Sequence, residues 1–185
     1  MKKRNNVIII LSLVAIALFC FVELIVLPQQ RAQAESYKLA QQEPTTHDLA
    51  SILTYKSKYM GDASNSGNLF HKLPLSEYLD GFEQDPTAFE LTVNYKKYTS
   101  EIGTEKLQKV LIYNSTAAFA LIDNLKTIQY HFTDHTYVIN RKDVEELYSV
   151  PKLANLLNQS SWKQYVQDKL KDSKQVQTIF AKIEG

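Results

Sequence analysis

The sequence predicts an α+β domain behind a single N-terminal hydrophobic helix, and three observations carry that reading. Val7 to Leu27 is an apolar run broken only by Ser12 and Glu23. Phe89 to Lys96 alternates apolar and polar residues, the period of a half-buried strand. Thr104 to Leu125 repeats apolar residues every three or four positions, the stripe of a buried helix. Together they predict a small antiparallel sheet of about three strands packed on a long central helix, with a helical C-terminal part.

The first 34 residues read as an address. Lys2, Lys3 and Arg4 precede the apolar run. At about 1.5 Å per residue the run spans roughly 31 Å as a helix, enough to cross a bilayer core. Positive charge in front of it predicts a single-pass cell-membrane protein with its N-terminus inside and its domain outside. Ala32-Gln33-Ala34 has the small-x-small form of a signal-peptidase site, so secretion after cleavage behind Ala34 is the alternative. The run exceeds the usual apolar core of about 7–15 residues in cleaved signals, which favours a retained anchor. Cys20 follows Phe19 and is itself followed by Phe21-Val22, a poor setting for lipidation, and reads as an apolar thiol in the membrane segment. Glu23 lies near the outer end, where its carboxylate reaches the interface.

The elements then follow in order. Residues 35–46 are polar, contain Pro44 and read as a tether; 47–185 form one domain. Asp48 to Tyr59 has a helical face of Leu49, Ile52 and Leu53, with Thr46 as a cap. Gly61 to Asn68 is rich in Gly, Ser, Asn and Asp and reads as a loop. Leu69, Phe70 and Leu73 make a short apolar turn before Pro74. The Phe89–Lys96 strand turns Phe89, Leu91, Val93 and Tyr95 one way and Glu90, Thr92, Asn94 and Lys96 the other. The long helix carries Leu107, Val110, Leu111, Ala117, Ala118, Leu121 and Ile122, with Asn114 the polar exception. Thr127 to Asn140 reads as a hairpin turning at Asp134-His135. Asn140 then caps a helix to Tyr148, and further helices begin near Pro151, Ser160 and Ser173.

Composition excludes several functions. With 21 Lys+Arg against 20 Asp+Glu the formal charge is +1, too little for a nucleic-acid binder that must displace counterions. One Cys excludes an internal disulfide framework and a Cys-based zinc cluster. His131 and His135 have chelating spacing only on a helix, and here they fall on a hairpin, about 13 Å apart along an extended chain. Asp62-x-Ser64-x-Ser66-Gly67 copies half a calcium loop, but the closing carboxylate falls at Leu73. Ser149-Val150-Pro151-Lys152 and Ser160-Ser161-Trp162-Lys163 match S-x-x-K, without the partner motifs that give it meaning. No metal site, cofactor or catalytic set is expected. Most of the eleven Tyr belong in the core.

Leu49, Tyr55-Lys56-x-Lys58-Tyr59-x-Gly61-Asp62, Gly67-Asn68-Leu69, Leu73-Pro74 and Leu91-Thr92-Val93-Asn94-Tyr95 resemble a bacterial family known only as a domain of unknown function. Tyr113-Asn114-x-Thr116-Ala117-x-Phe119-Ala120-Leu121-Ile122 and Ile139-x-Arg141-x-Asp143-Val144 extend the resemblance over roughly residues 48 to 148. It implies a Gram-positive, membrane-anchored, extracytoplasmic protein. Related copies are fused to membrane metallopeptidases of the β-lactam sensor type, a segment this chain lacks. The family supplies no catalytic residues.

The expectation that results is a binding or sensory module at the cell envelope, touching the membrane through its N-terminal helix and capturing an envelope protein or peptide. Its expected contact residues are Gly61, Asp62, Ser64, Asn65, Asn68 and Asn94. The alternatives are an envelope hydrolase using His131, His135 and Asp134, and an assembly protein presenting the Trp162, Tyr165, Val166 and Leu170 stripe.

Overall fold

A computed structural model of the protein describes residues 2–184. It divides into two units, residues 1–40 and 41–185.

In the first unit the chain is helical through α1 (Lys2–Phe21), a widened turn at Val22–Val26, and α2 (Leu27–Gln41). The wide turn precedes Pro28, which lacks an amide and crowds the carbonyl four residues back, so the turn opens to i→i+5 bonding. From Leu13 to Gln41 the helix is long and apolar enough to cross a membrane, and its apolar window is unburied. Residues 35–41, expected as tether, continue α2.

The second unit is a two-layer α+β domain. Its described helices are α3 (Ala63–Phe70), α4 (Thr99–Ile102), α5 (Thr104–Leu121), α6 (Arg141–Tyr148), α7 (Gln159–Ser161) and α8 (Ser173–Ile183). Its strands are β1 (Leu79–Asp85), β2 (Glu90–Tyr95), β3 (Thr127–His131) and β4 (Thr136–Asn140), in spatial order β1-β2-β3-β4. The α+β class holds, with two refinements to the sheet. It has four strands, the added one being β1, whose Asp80, Gly81, Glu83 and Asp85 hid its alternation. The β1–β2 and β3–β4 pairs are antiparallel hairpins, but β2 and β3 are parallel, because the chain returns through α4 and α5 to the same end of the sheet.

α5 is the spine expected from its stripe. Leu107, Val110 and every residue from Leu111 to Leu121 are buried, each Leu or Ile worth about 1.5–3 kcal/mol. The helix starts at Gly103, whose φ of 86° and ψ of 138° suit glycine alone. It ends at Leu121, short of the expected Leu125, where Ile122 turns extended.

Leu91, Val93 and Tyr95 of β2 and Ile128 and Tyr130 of β3 are buried on the helix-facing side. Phe89 does not start the strand; its φ of 58° is left-handed, and its carbonyl accepts from the Lys126 and Thr127 amides, steering β3 beside β2.

Three expected elements differ. Asp48–Tyr59 is two 3-10 turns, Leu49–Ser51 and Leu53–Tyr55, with Asp48 rather than Thr46 capping the first. Most of the expected Gly61–Asn68 loop is α3, because the Asp62 carboxylate caps it by accepting from the Asn65 amide. Gly67 sits where α3 crosses β1; a Cβ there would stand 2.8 Å from the Phe82 ring. After Pro151 the chain makes only a 3-10 turn at Leu153–Leu156. Asn158 caps α7, and Asp172 caps α8.

Candidate functional site

The helices and the sheet's apolar side consume each other, so the opposite side of the sheet is where polar side chains are displayed. Strand alternation and register arrange them in rows. Asp85, Glu90, Thr127 and Asn140 form one; Glu83, Thr92, Gln129 and Val138 the next; Gly81, Asn94, His131 and Thr136 the third. The β2 and β3 members are half-buried by their neighbours.

Hydrogen bonds knit these rows. Gln129 Nε2 donates to Glu90 Oε1 at 2.6 Å, and His131 Nε2 donates to Gln129 Oε1 at 3.1 Å. The amide oxygen can only accept, so Nε2 is the donor in this bond. Thr127 donates to Asn140, which donates to Asp143 of α6. The result is a polar surface on which Glu90, Thr127, Gln129, His131 and Asn140 are held in place, with Glu83 and Asp85 beside them.

The expected contact residues do not assemble into one site. Asn94 lies on this open face. Gly61, Asp62, Ser64, Asn65 and Asn68 lie on the other side of the sheet, where α3 packs under Phe82 and Gln84 donates to the Met60 carbonyl. Asp62 and Asn65 are structural there: Asp62 caps α3, and Asn65 Nδ2 donates to the Tyr55 carbonyl at 2.8 Å. Gly61, Ser64 and Asn68 are exposed.

His131, Asp134 and His135 are likewise separated. Asp134 accepts from both the amide and the hydroxyl of Thr99 at 2.8 Å, fixing the hairpin turn to the start of α4. Those bonds hold its carboxyl below the usual carboxylate range. His131 faces outward, whereas the His135 ring lies against Tyr137 on the helix-facing side. Among the described residues no group of three or more His, Cys, Asp and Glu stands close enough to hold a metal ion.

Trp162, Val166 and Leu170 are buried inside the domain, leaving Tyr165 as the exposed member of the stripe expected to pack on a partner.

A buried polar chain escaped sequence reading because its members are far apart. His47 Nε2 donates to the Lys72 carbonyl at 2.9 Å, which leaves Nδ1 to accept from the Tyr113 hydroxyl at 2.8 Å. Trp162 Nε1 donates to the same hydroxyl at 3.2 Å. Gln167 Nε2 donates to the carbonyls of Pro44 and His47. Burial lowers the His47 pKa and raises that of Tyr113. Asn114, the polar exception on α5, donates to the Pro74 carbonyl at 2.9 Å.

Arg141 is the other hidden link. Its Nε donates to the Leu125 carbonyl at 2.6 Å, and its Nη2 to those of Phe119 and Ile122 at 2.8 and 2.5 Å. It thereby satisfies carbonyls left open where α5 ends.

No curated protein and no solved structure matches the chain. Residues 52–143, just under half of the chain and reaching from the 3-10 turns into α6, match the family described as Domain of unknown function (DUF4825), so this part of the protein is similar to an uncharacterised family.

Proposed function

We propose that the protein is a membrane-tethered binding module of the cell envelope, and that it recognises its partner with the open face of its sheet. The observation that carries this reading is the one-sided architecture. Helices α3, α5 and α8 pack on the apolar side of the sheet, and the other side presents Thr92 and Asn94 beside the hydrogen-bonded Glu90–Gln129–His131 chain. Preorganised polar groups on a rigid sheet lower the ordering cost of binding. Lys2, Lys3 and Arg4 before the apolar helix support an outward-facing domain, with a secreted form cleaved after Ala34 as the variant of that reading. The chain resembles a family of which related copies are fused to membrane metallopeptidases, and that association favours sensing over a scaffold role. The partner this face suits is an envelope protein or peptide rich in hydrogen-bond donors, because Glu83, Asp85 and Glu90 border it.

Photo-crosslinking in intact cells tests the assignment. A photoreactive residue at Thr92 or Asn94 should give a discrete adduct, and one at Ser64 or Asn68 should not. Adducts from the α3 positions alone would move the site to the other side of the sheet.

A further inference from the structure

A concavity lies on the helical side of the sheet, distinct from the open face. It is a cleft of about 300 Å³ lined by Thr104, Leu107 and Gln108 of α5, Tyr137 of β4, Phe180 of α8, and Glu184 just beyond α8. Its floor is apolar: Leu107 and Phe180 are buried, and the Tyr137 and Phe180 rings meet edge to face with centroids 5.7 Å apart. The hydroxyls of Thr99, Ser100, Thr104 and Tyr137 on its walls can donate or accept, whereas two groups can only accept. Gln108 Oε1 is buried and has no hydrogen-bond partner among the described residues. Glu184 adds a carboxylate at the rim.

These groups select for charge. A buried amide oxygen without a donor is unfavourable until a ligand supplies an N–H. Aromatic faces beside a carboxylate attract a cation. The Tyr137 hydroxyl senses the same field, since burial first, then the Glu184 and Asp134 carboxylates, raise its pKa. One feature opposes this: α5 begins at Gly103 without a capping side chain, and a bare helix start favours anions. The sign of the ligand's charge therefore decides which feature governs the cleft.

We propose that the cleft binds an organic ammonium carried on a short apolar stem, the stem resting on Leu107, Tyr137 and Phe180 and the N–H groups divided between Gln108 Oε1 and the Glu184 carboxylate. A free aralkylamine and the lysine side chain of a peptide share this chemistry.

Calorimetric titration of the detergent-solubilised full chain distinguishes them, using phenethylamine, an N-acetyl-lysine amide and 3-phenylpropionate at neutral pH. Saturable binding of either amine with none of the carboxylate is expected, and the tighter amine identifies the source. Glu184→Gln and Gln108→Leu should each weaken that amine by about tenfold, the loss of one charge-assisted hydrogen bond. Glu184 is exposed, so its variant remains informative even if Gln108→Leu fails to fold. Equal or tighter binding of 3-phenylpropionate, no saturable heat from either amine, or unchanged amine affinity in Glu184→Gln would each overturn the proposal.

Discussion

Replacing Arg141 tests how α5 is terminated, and the size of the effect follows from the geometry. The guanidinium donates to three carbonyls, those of Phe119, Ile122 and Leu125, and also meets Glu145 Oε1 at 3.2 Å and the Phe119 ring at 5.3 Å. Hydrogen bonds to a charged group contribute about 1.5–3 kcal/mol each. The side chain is 17% exposed, so water can replace part of that in a truncated variant. Arg141→Ala should therefore cost about 3–5 kcal/mol, a large share of the roughly 5–15 kcal/mol that holds a domain together. Arg141→Lys should lose about half as much, because one ammonium cannot span the three acceptors that the planar fork reaches. Trp162 is the sole tryptophan and is fully buried, so its emission reports guanidinium unfolding directly. A loss under about 1 kcal/mol for Arg141→Ala, or wild-type stability for Arg141→Lys, would refute the reasoning.

Other consequences are equally open to measurement. His47 is held neutral in the fold, with its pKa below the ordinary 6.5 because of burial, while its bond to the Lys72 carbonyl and then Asp48 partly oppose the shift. The unfolded chain therefore binds the proton first; stability should be full above about pH 6.5 and fall as pH drops below it. His47→Leu should flatten that slope in urea melts run from pH 7.5 to 5.0, and an unchanged slope would show that another group titrates. Gly103→Ala places a Cβ on a backbone conformation essentially reserved for glycine and should lower stability by about 1–3 kcal/mol in the same melts. Gly67→Ala should be destabilising by about 1 kcal/mol through its contact with Phe82, and in a Phe82→Ala background the same change should become stabilising, since alanine is the better helix former. An unreversed sign would place the strain elsewhere.

What the sequence revealed, and what it concealed, divides along physical lines. Period-two alternation in Glu90–Tyr95 and three-four spacing in α5 are local consequences of burial on one side, so both elements were legible. The start of α6 after Asn140 and the Asp134-His135 turn were legible for the same reason, since both are written in neighbouring residues, although the Asn140 side chain donates to Asp143 and makes no capping bond to the helix backbone. β1 was not legible. Its Leu79, Phe82 and Gln84 include only two apolar residues, interrupted by Gly81 and a register shift. The Gly61–Asn68 stretch reads as loop because Gly, Ser and Asn favour turns, yet the Asp62 cap and burial of Leu69 and Phe70 make it helical. The parallel β2–β3 pairing depends on the return path of α5, which no single segment encodes. The same limit applies to the site. Asn94 was identifiable from alternation, but its neighbours Gln129 and His131 come from a strand more than thirty residues later. The His47–Tyr113–Trp162 chain joins three separate segments, and no spacing rule links them.

The proposed function needs one exposed polar side of the sheet and needs it outside the cell, and cysteine labelling tests both together. In a Cys20→Ser background, which removes the sole native thiol, an impermeant maleimide should label Asn94→Cys in intact cells. Tyr130→Cys, on the buried side, should label only after denaturation. Protection of Asn94→Cys until the cells are broken, or its continued protection in the folded protein afterwards, would contradict the account.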